Sequence, residues 1–263
     1  MDEGAGAMMR FLICAGYMAL LYGFIFLPVG VLALYSFQDG RFPIPPFQGF
    51  SLRWHIEVLG DSDLMAALAH SLMVAFASSA VAVTLGFLAA RAVAGGRLPG
   101  ARAIRAALTA PLSVSYLVIG LGLLASFNLM GQGLSLSTVA VGHIVINTPL
   151  CFAICAAAIG PAQMAAERAA RDLGASELRV MWLITAPMIL PALLAAFLLS
   201  VTFSWDEFII AFLLSRFDVT LPVEIWSLLR SGLNPKTNAV GSLVFMVSAV
   251  AVLGVELTMM RRR

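Results

Sequence analysis

Six long apolar runs, near residues 11–37, 64–93, 104–128, 136–160, 188–214 and 238–260, constrain this chain more than any other feature. A bilayer core about 30 Å thick is crossed by roughly 20 helical residues, and backbone in hydrocarbon must satisfy its own N–H and C=O groups. Each run is long enough to cross as a helix. Only 11% of the residues are charged against 61% hydrophobic, whereas a soluble domain carries about 25% charge. The chain therefore reads as all-α and polytopic, a single transmembrane domain over residues 1–263. The first run exceeds the roughly 7–15 residues of a secretory leader core, and no small-residue cleavage site follows it. It is expected to remain as a span.

Basic residues set the expected orientation, because they concentrate in cytoplasmic loops. With the N-terminus inside, eleven of the sixteen fall on the cytoplasmic side: Arg10; Arg91, Arg97, Arg102 and Arg105; Arg168, Arg171 and Arg179; and Arg261, Arg262 and Arg263. Arg41, Arg53, Arg216, Arg230 and Lys236 fall outside. Six spans with both termini in the cytoplasm follow. The net charge of +2 reflects topology and gives no reason to expect nucleic acid. Cys14, Cys151 and Cys155 lie within the runs and read as packing residues. No metal or cofactor is called for.

The outer segment 38–63 opens irregularly around Pro43, Pro45 and Pro46, then predicts a short amphipathic helix over Ser51–Leu59 with Trp54 at interface depth. A second short outer helix is expected around Val223–Arg230. The most informative connection is cytoplasmic: 161–187, PAQMAAERAARDLGASELRVMWLITAP. Helix formers fill Ala162–Leu173, and Glu167–Arg171 and Arg168–Asp172 are opposite-charge pairs at i,i+4. Gly174 suits a left-handed helix stop, Ser176 suits an N-cap, and Glu177 would sit at the positive end of the second helix. A protruding hairpin over about 162–186 results. Two readings stand: a docking surface for another protein, or a connector packed on its own spans.

The stretch RAARDLGASELRVMWLITAP, residues 168–187, resembles the cytoplasmic signature of binding-protein-dependent ABC importer permeases. Ala169, Ala170, Gly174, Ile184 and Pro187 fall on motif positions, and Asp172, Leu173, Gly174 and Ala175 match as a block. Arg168 stands where the motif has Glu, with Glu167 one residue early, and Ala186 replaces the Leu before the Pro. Residues 46–59 look like the family's first outer loop. Residues 204–243 are similar to the spermidine/putrescine branch, with SWDEF, TLP, RSG and NPKTNA in that order. The resemblance implies a type I importer permease fold and a hairpin, here Glu167 to Ser176, that seats in an ATPase subunit. It also implies a cytoplasmic ATP-binding dimer, a second permease chain, a periplasmic substrate-binding protein, and residence in the bacterial inner membrane. The solute it implies is a small cation, most nearly putrescine or spermidine.

The chain needs an outside energy source if it pumps. Its one lysine, Lys236, follows Pro235 in NPKT, and proline has no N–H to offer a phosphate, so no P-loop is present. The chain is expected to be a transport subunit and not an enzyme. Asp206 and Glu207 interrupt an apolar run, and ionisable groups inside spans default to function. With Trp205 and Phe208 they are candidates for the solute pathway, attracting an ammonium group by charge and cation–π contact. The competing reading makes them a helix cap or a subunit contact. His70 and His143 read as packing or hydrogen-bonding groups, Asn128 and Asn147 as interhelical polar contacts, and Pro149 as a kink. A secondary transporter would show matched broken helices in two halves, and a serine hydrolase a nucleophile placed with its base; neither pattern is visible.

Overall fold

The computed structural model describes residues 3–95, 99–232 and 234–260, with side chains from residue 8 to 250 within those ranges. Arg97, Arg261, Arg262, Arg263 and the side chain of Glu256 therefore lie outside the described residues. The described chain is helical, with one isolated bridge between Gln38 and Phe50. It divides into two units, residues 1–65 with 225–263, and residues 66–224.

In the first unit, α1 (Glu3–Ser36) packs along α13 (Pro235–Met260). They meet closely at Gly241, where an added Cβ would stand 3.1 Å from Leu32 Cδ1. Residues 8–28 of α1 are exposed, Phe24 to 76%, an apolar surface that water cannot favourably cover. The outer segment carries α2 (Arg53–Leu59), as the sequence predicts. Trp54 is buried, and its indole N–H donates to the Gln38 carbonyl at 2.8 Å. An indole can meet its one donor requirement inside the protein, and here it pins the loop. Lys236 binds Asp61 at 2.6 Å and lies 3.4 Å from Glu57, which ties α2 to the start of α13.

The second unit is built on α3 (Ser62–Ala94) and α6 (Leu136–Ala158). Ser135 and Thr138 form a capping box that starts α6. An apolar core joins Val74, Val139, Ile146, Ile210 and Leu214, and another joins Phe87, Phe152, Met181 and Ile189. At Gly86 the backbones of α3 and α6 nearly touch: a Cβ there would lie 2.6 Å from the Phe152 nitrogen. Small residues permit such approach between membrane helices.

Two expected spans are not continuous helices. The run 104–128 divides into α4 (Ala101–Thr109), a 3-10 turn Ala110–Ser113 and α5 (Tyr116–Leu129), bent by 105°. Pro111 lacks the N–H needed to continue the helix, and Val114 and Ser115 are extended. The run 188–214 is α10 (Leu190–Trp205), a break at 206–208, and α11 (Ile209–Leu214). Hydropathy counts apolar residues and is blind to both breaks. Among the described residues, three helices are long and apolar enough to cross a membrane, or up to five if each of two bent pairs is one span. The last run lies within α13. The second outer helix is α12 (Leu221–Ser231), close to its expected place.

Candidate functional site

The hairpin begins with α7 (Pro161–Asp172). Gly174 stops it at φ +84°, a left-handed conformation that glycine enters without penalty. The Gly174 N–H donates to the Arg171 carbonyl at 2.9 Å and the Ala175 N–H to the Ala170 carbonyl at 3.0 Å, the paired bonds of a Schellman stop. Ser176 holds the N-cap position in extended backbone, but its hydroxyl makes no capping bond. The second limb also departs from a plain helix: α8 (Glu177–Val180) runs into a π turn, Met181–Thr185, then α9 (Ala186–Met188), with a 77° bend before α10.

An ion network fixes the base of the turn. Arg171 reaches Glu167 at 2.7 Å and Glu177 at 2.6 Å, while Arg91, from the end of α3, reaches Glu177 at 2.7 Å. The Thr185 hydroxyl donates to Glu167 Oε1. Burial opposes ionisation of Glu167, but hydrogen bonds from Thr185 and Arg171 and the charges of Arg91 and Arg171 outweigh it, so its pKa falls below the ordinary value. Hydrogen bonds from Arg171 and then Arg91 hold Glu177 down to about 2. Both carboxylates therefore stay charged throughout the neutral range. Of the two expected i,i+4 pairs, Glu167–Arg171 forms and Arg168–Asp172 does not; both of the latter are exposed. A cavity of about 350 Å³ opens against the network, lined by Arg91, Met164, Glu167, Arg168, Arg171 and Glu177 among others.

The hairpin residues named from sequence therefore divide by role. Glu167 and Ala170 are buried, Ala175 is half-buried, and Arg168, Ala169, Asp172, Leu173, Gly174 and Ser176 face outward. Leu173 is 89% exposed, and Leu178, Trp182 and Leu183 continue the apolar surface. Arg91 and Thr185 escaped the sequence reading. Arg91 counted only as a loop charge, and no local pattern links it to Glu177, 86 residues away.

The structure separates the two candidate carboxylates. Asp206 ends α10 and is exposed. Glu207 is buried, and its Oε2 accepts the Ile210 N–H at 2.8 Å, serving the free donors at the start of α11. Trp205 and Phe208 flank them half-buried, Phe208 stacking on Phe212 at 5.4 Å. Of the two carboxylates, Asp206 alone is exposed.

Of the polar groups named from sequence, the histidines and not the asparagines make the described contacts. Asn128 is exposed, and the buried Asn147 Nδ2 has no hydrogen-bond partner among the described residues. The contact is made instead by His143, whose Nδ1 meets Ser204 Oγ, which lies 3.3 Å from Ser78 Oγ. α3, α6 and α10 are joined there. His70 Nδ1 is 3.2 Å from the Val219 carbonyl, a hydrogen-bonding role as expected.

Spanning helices that satisfy their own backbone, with a hairpin held rigid at its base, define an all-α membrane permease. Residues 82–262 match the family of binding-protein-dependent transport system inner membrane components, and the chain belongs to that family, as a transport subunit of the inner membrane. It is 34% identical over 245 residues to the putrescine transport system permease protein PotI of Escherichia coli K12, covering 89% of this chain and 86% of that one. It is 29% identical over 247 residues to the spermidine/putrescine permease PotC of the same strain, covering 94% and 93%. The fold is similar to that of a bacterial ABC transporter involved in import of the acidic polysaccharide alginate. There the TM-score is 0.73 over 96% of this chain and 97% of that chain, at 16% identity.

Proposed function

We propose that this chain is one permease half of an ATP-driven importer for polyamines, putrescine or spermidine. The relationship to PotI along nearly nine-tenths of the chain carries the reading. On this proposal residues 1–263 form one six-span domain with both termini in the cytoplasm. A second permease completes the path, a periplasmic binding protein delivers the solute, and a cytoplasmic ATPase dimer supplies the energy. The exposed apolar surface of the hairpin, Leu173, Leu178, Trp182 and Leu183, is the docking face for the ATPase, and the Schellman stop and ion network keep it rigid enough to transmit motion. Exposed Asp206, beside Trp205 and Phe208, attracts the ammonium groups of the solute. Glu207 keeps the chain break in shape beneath it.

The test is purification in mild detergent, identification of co-eluting chains, and ATP hydrolysis in proteoliposomes with binding protein and putrescine. An ATPase and a second permease in stoichiometric amounts, with putrescine-stimulated hydrolysis, is the expected result. Uptake by this chain alone, driven by an ion gradient, would overturn the proposal in favour of a secondary transporter.

A further inference from the structure

The network under the hairpin reaches beyond the hairpin. Arg91 belongs to α3, and its guanidinium spans both limbs, 2.7 Å from Glu177 Oε2 and 3.5 Å from Glu167 Oε1. The same group lies 3.5 Å from the Glu177 carbonyl oxygen. Glu167 is a junction of three segments: Arg91 from α3, Arg171 from its own helix, and Thr185 from the π turn that leads to α10.

We propose that Arg91 is a positioning residue for coupling: it clamps α3 to both limbs of the hairpin, so that displacement of the hairpin moves α3 together with α10. This rests on the reading of the hairpin as the ATPase-docking element. Apolar packing also joins these segments, through Phe87, Ala90 and Val93 against Met181 and Ala186. Such packing is non-directional. A guanidinium held by two carboxylates fixes register as well as proximity.

Stability is a poor account of the arrangement. The Glu177 side chain is 62% exposed, and ion pairs open to water contribute little to stability. Removing Arg91 leaves Glu167 bonded to Arg171 and Thr185, so no buried charge is abandoned. The Arg91 Nε–H is buried without a hydrogen bond, 3.5 Å from Glu167 Oε1. A relative shift of α3 and α7 by roughly half an ångström would bring that pair to hydrogen-bonding distance.

The experiment uses the whole importer in proteoliposomes and measures putrescine taken up per ATP hydrolysed, with assembly checked by co-purification. Arg91→Gln is expected to assemble and to lower uptake per ATP by about 2–30-fold, the range for residues that transmit coupling. Arg91→Lys, one ammonium facing two carboxylates, is expected to fall between it and the wild type. An assembled Arg91→Gln complex with wild-type uptake per ATP overturns the clamp. Should Arg91→Gln fail to assemble, Arg91→Lys decides: an intermediate ratio supports the clamp and a wild-type ratio overturns it. A wild-type importer without putrescine-stimulated hydrolysis would overturn the parent reading and the clamp together, whereas a stimulated wild type with unaffected variants overturns the clamp alone.

Discussion

Replacing Gly174 isolates the backbone of the hairpin turn from every side-chain contact within the chain. Its φ of +84° is reserved almost wholly for glycine, yet no atom lies within 4 Å of where a Cβ would stand. The cost of a substitution is therefore conformational and not steric within this chain. Left-handed backbone costs about 1–2 kcal/mol for an ordinary L-residue, more for a β-branched one, and little for Asn. At about 1.4 kcal/mol per tenfold change, Gly174→Ala should reduce the population of the native turn by roughly 5–30-fold relative to its alternatives. Gly174→Val should reduce it further, and Gly174→Asn least. When the turn opens it also gives up the two bonds donated by the Gly174 and Ala175 N–H groups. Uptake per ATP in the reconstituted importer is the assay, with co-purified ATPase as the measure of docking. The expected order is wild type, Asn, Ala, Val. Wild-type coupling in Gly174→Val would refute the argument. So would an Asn variant as poor as Val, because the fault would then lie in side-chain bulk against a partner and not in φ.

Three further outcomes are expected. Gly86→Ala should lower thermal stability in detergent by about 1–3 kcal/mol, since its methyl would meet the backbone of Phe152 and Cys151; an unchanged melting temperature would contradict the close approach of α3 and α6. Asp206→Asn should reduce putrescine uptake while leaving the melting temperature alone, whereas Glu207→Gln keeps a carbonyl oxygen for the Ile210 N–H and should change uptake less. Equal losses would return both carboxylates to the pathway. Lys236→Met should cost about 1 kcal/mol by leaving Asp61 and Glu57 together without their cation. The bond from Lys236 lowers the Asp61 pKa, so that contribution is complete above the ordinary carboxylate range and is lost as pH falls through the lowered value. Melting curves should show the wild-type advantage intact at about pH 5 and shrinking below about pH 4; an advantage independent of pH would show that Asp61 is not the partner that matters.

Hydropathy alone determined that this chain is a helical membrane protein, because the bilayer demands length and internal hydrogen bonding and both are written along the sequence. The hairpin stop was equally legible, since Gly174 between a helix-forming run and Ser176 is a local signal. The Glu167–Arg171 pair was legible too, lying one turn apart. Only the tertiary structure decided the rest. The run at 104–128 reads as one span until Pro111 and the extended Val114 and Ser115 turn it through 105°. Asp206 and Glu207 look like a pair until the start of α11 draws the latter inward to bind backbone. Arg91 reads as one loop charge among many until folding brings it against Glu177. The physical reason is common to all three. Composition and period report what a segment can bury, whereas the direction of a side chain at a break, or its partner 86 residues away, is set by how helices meet.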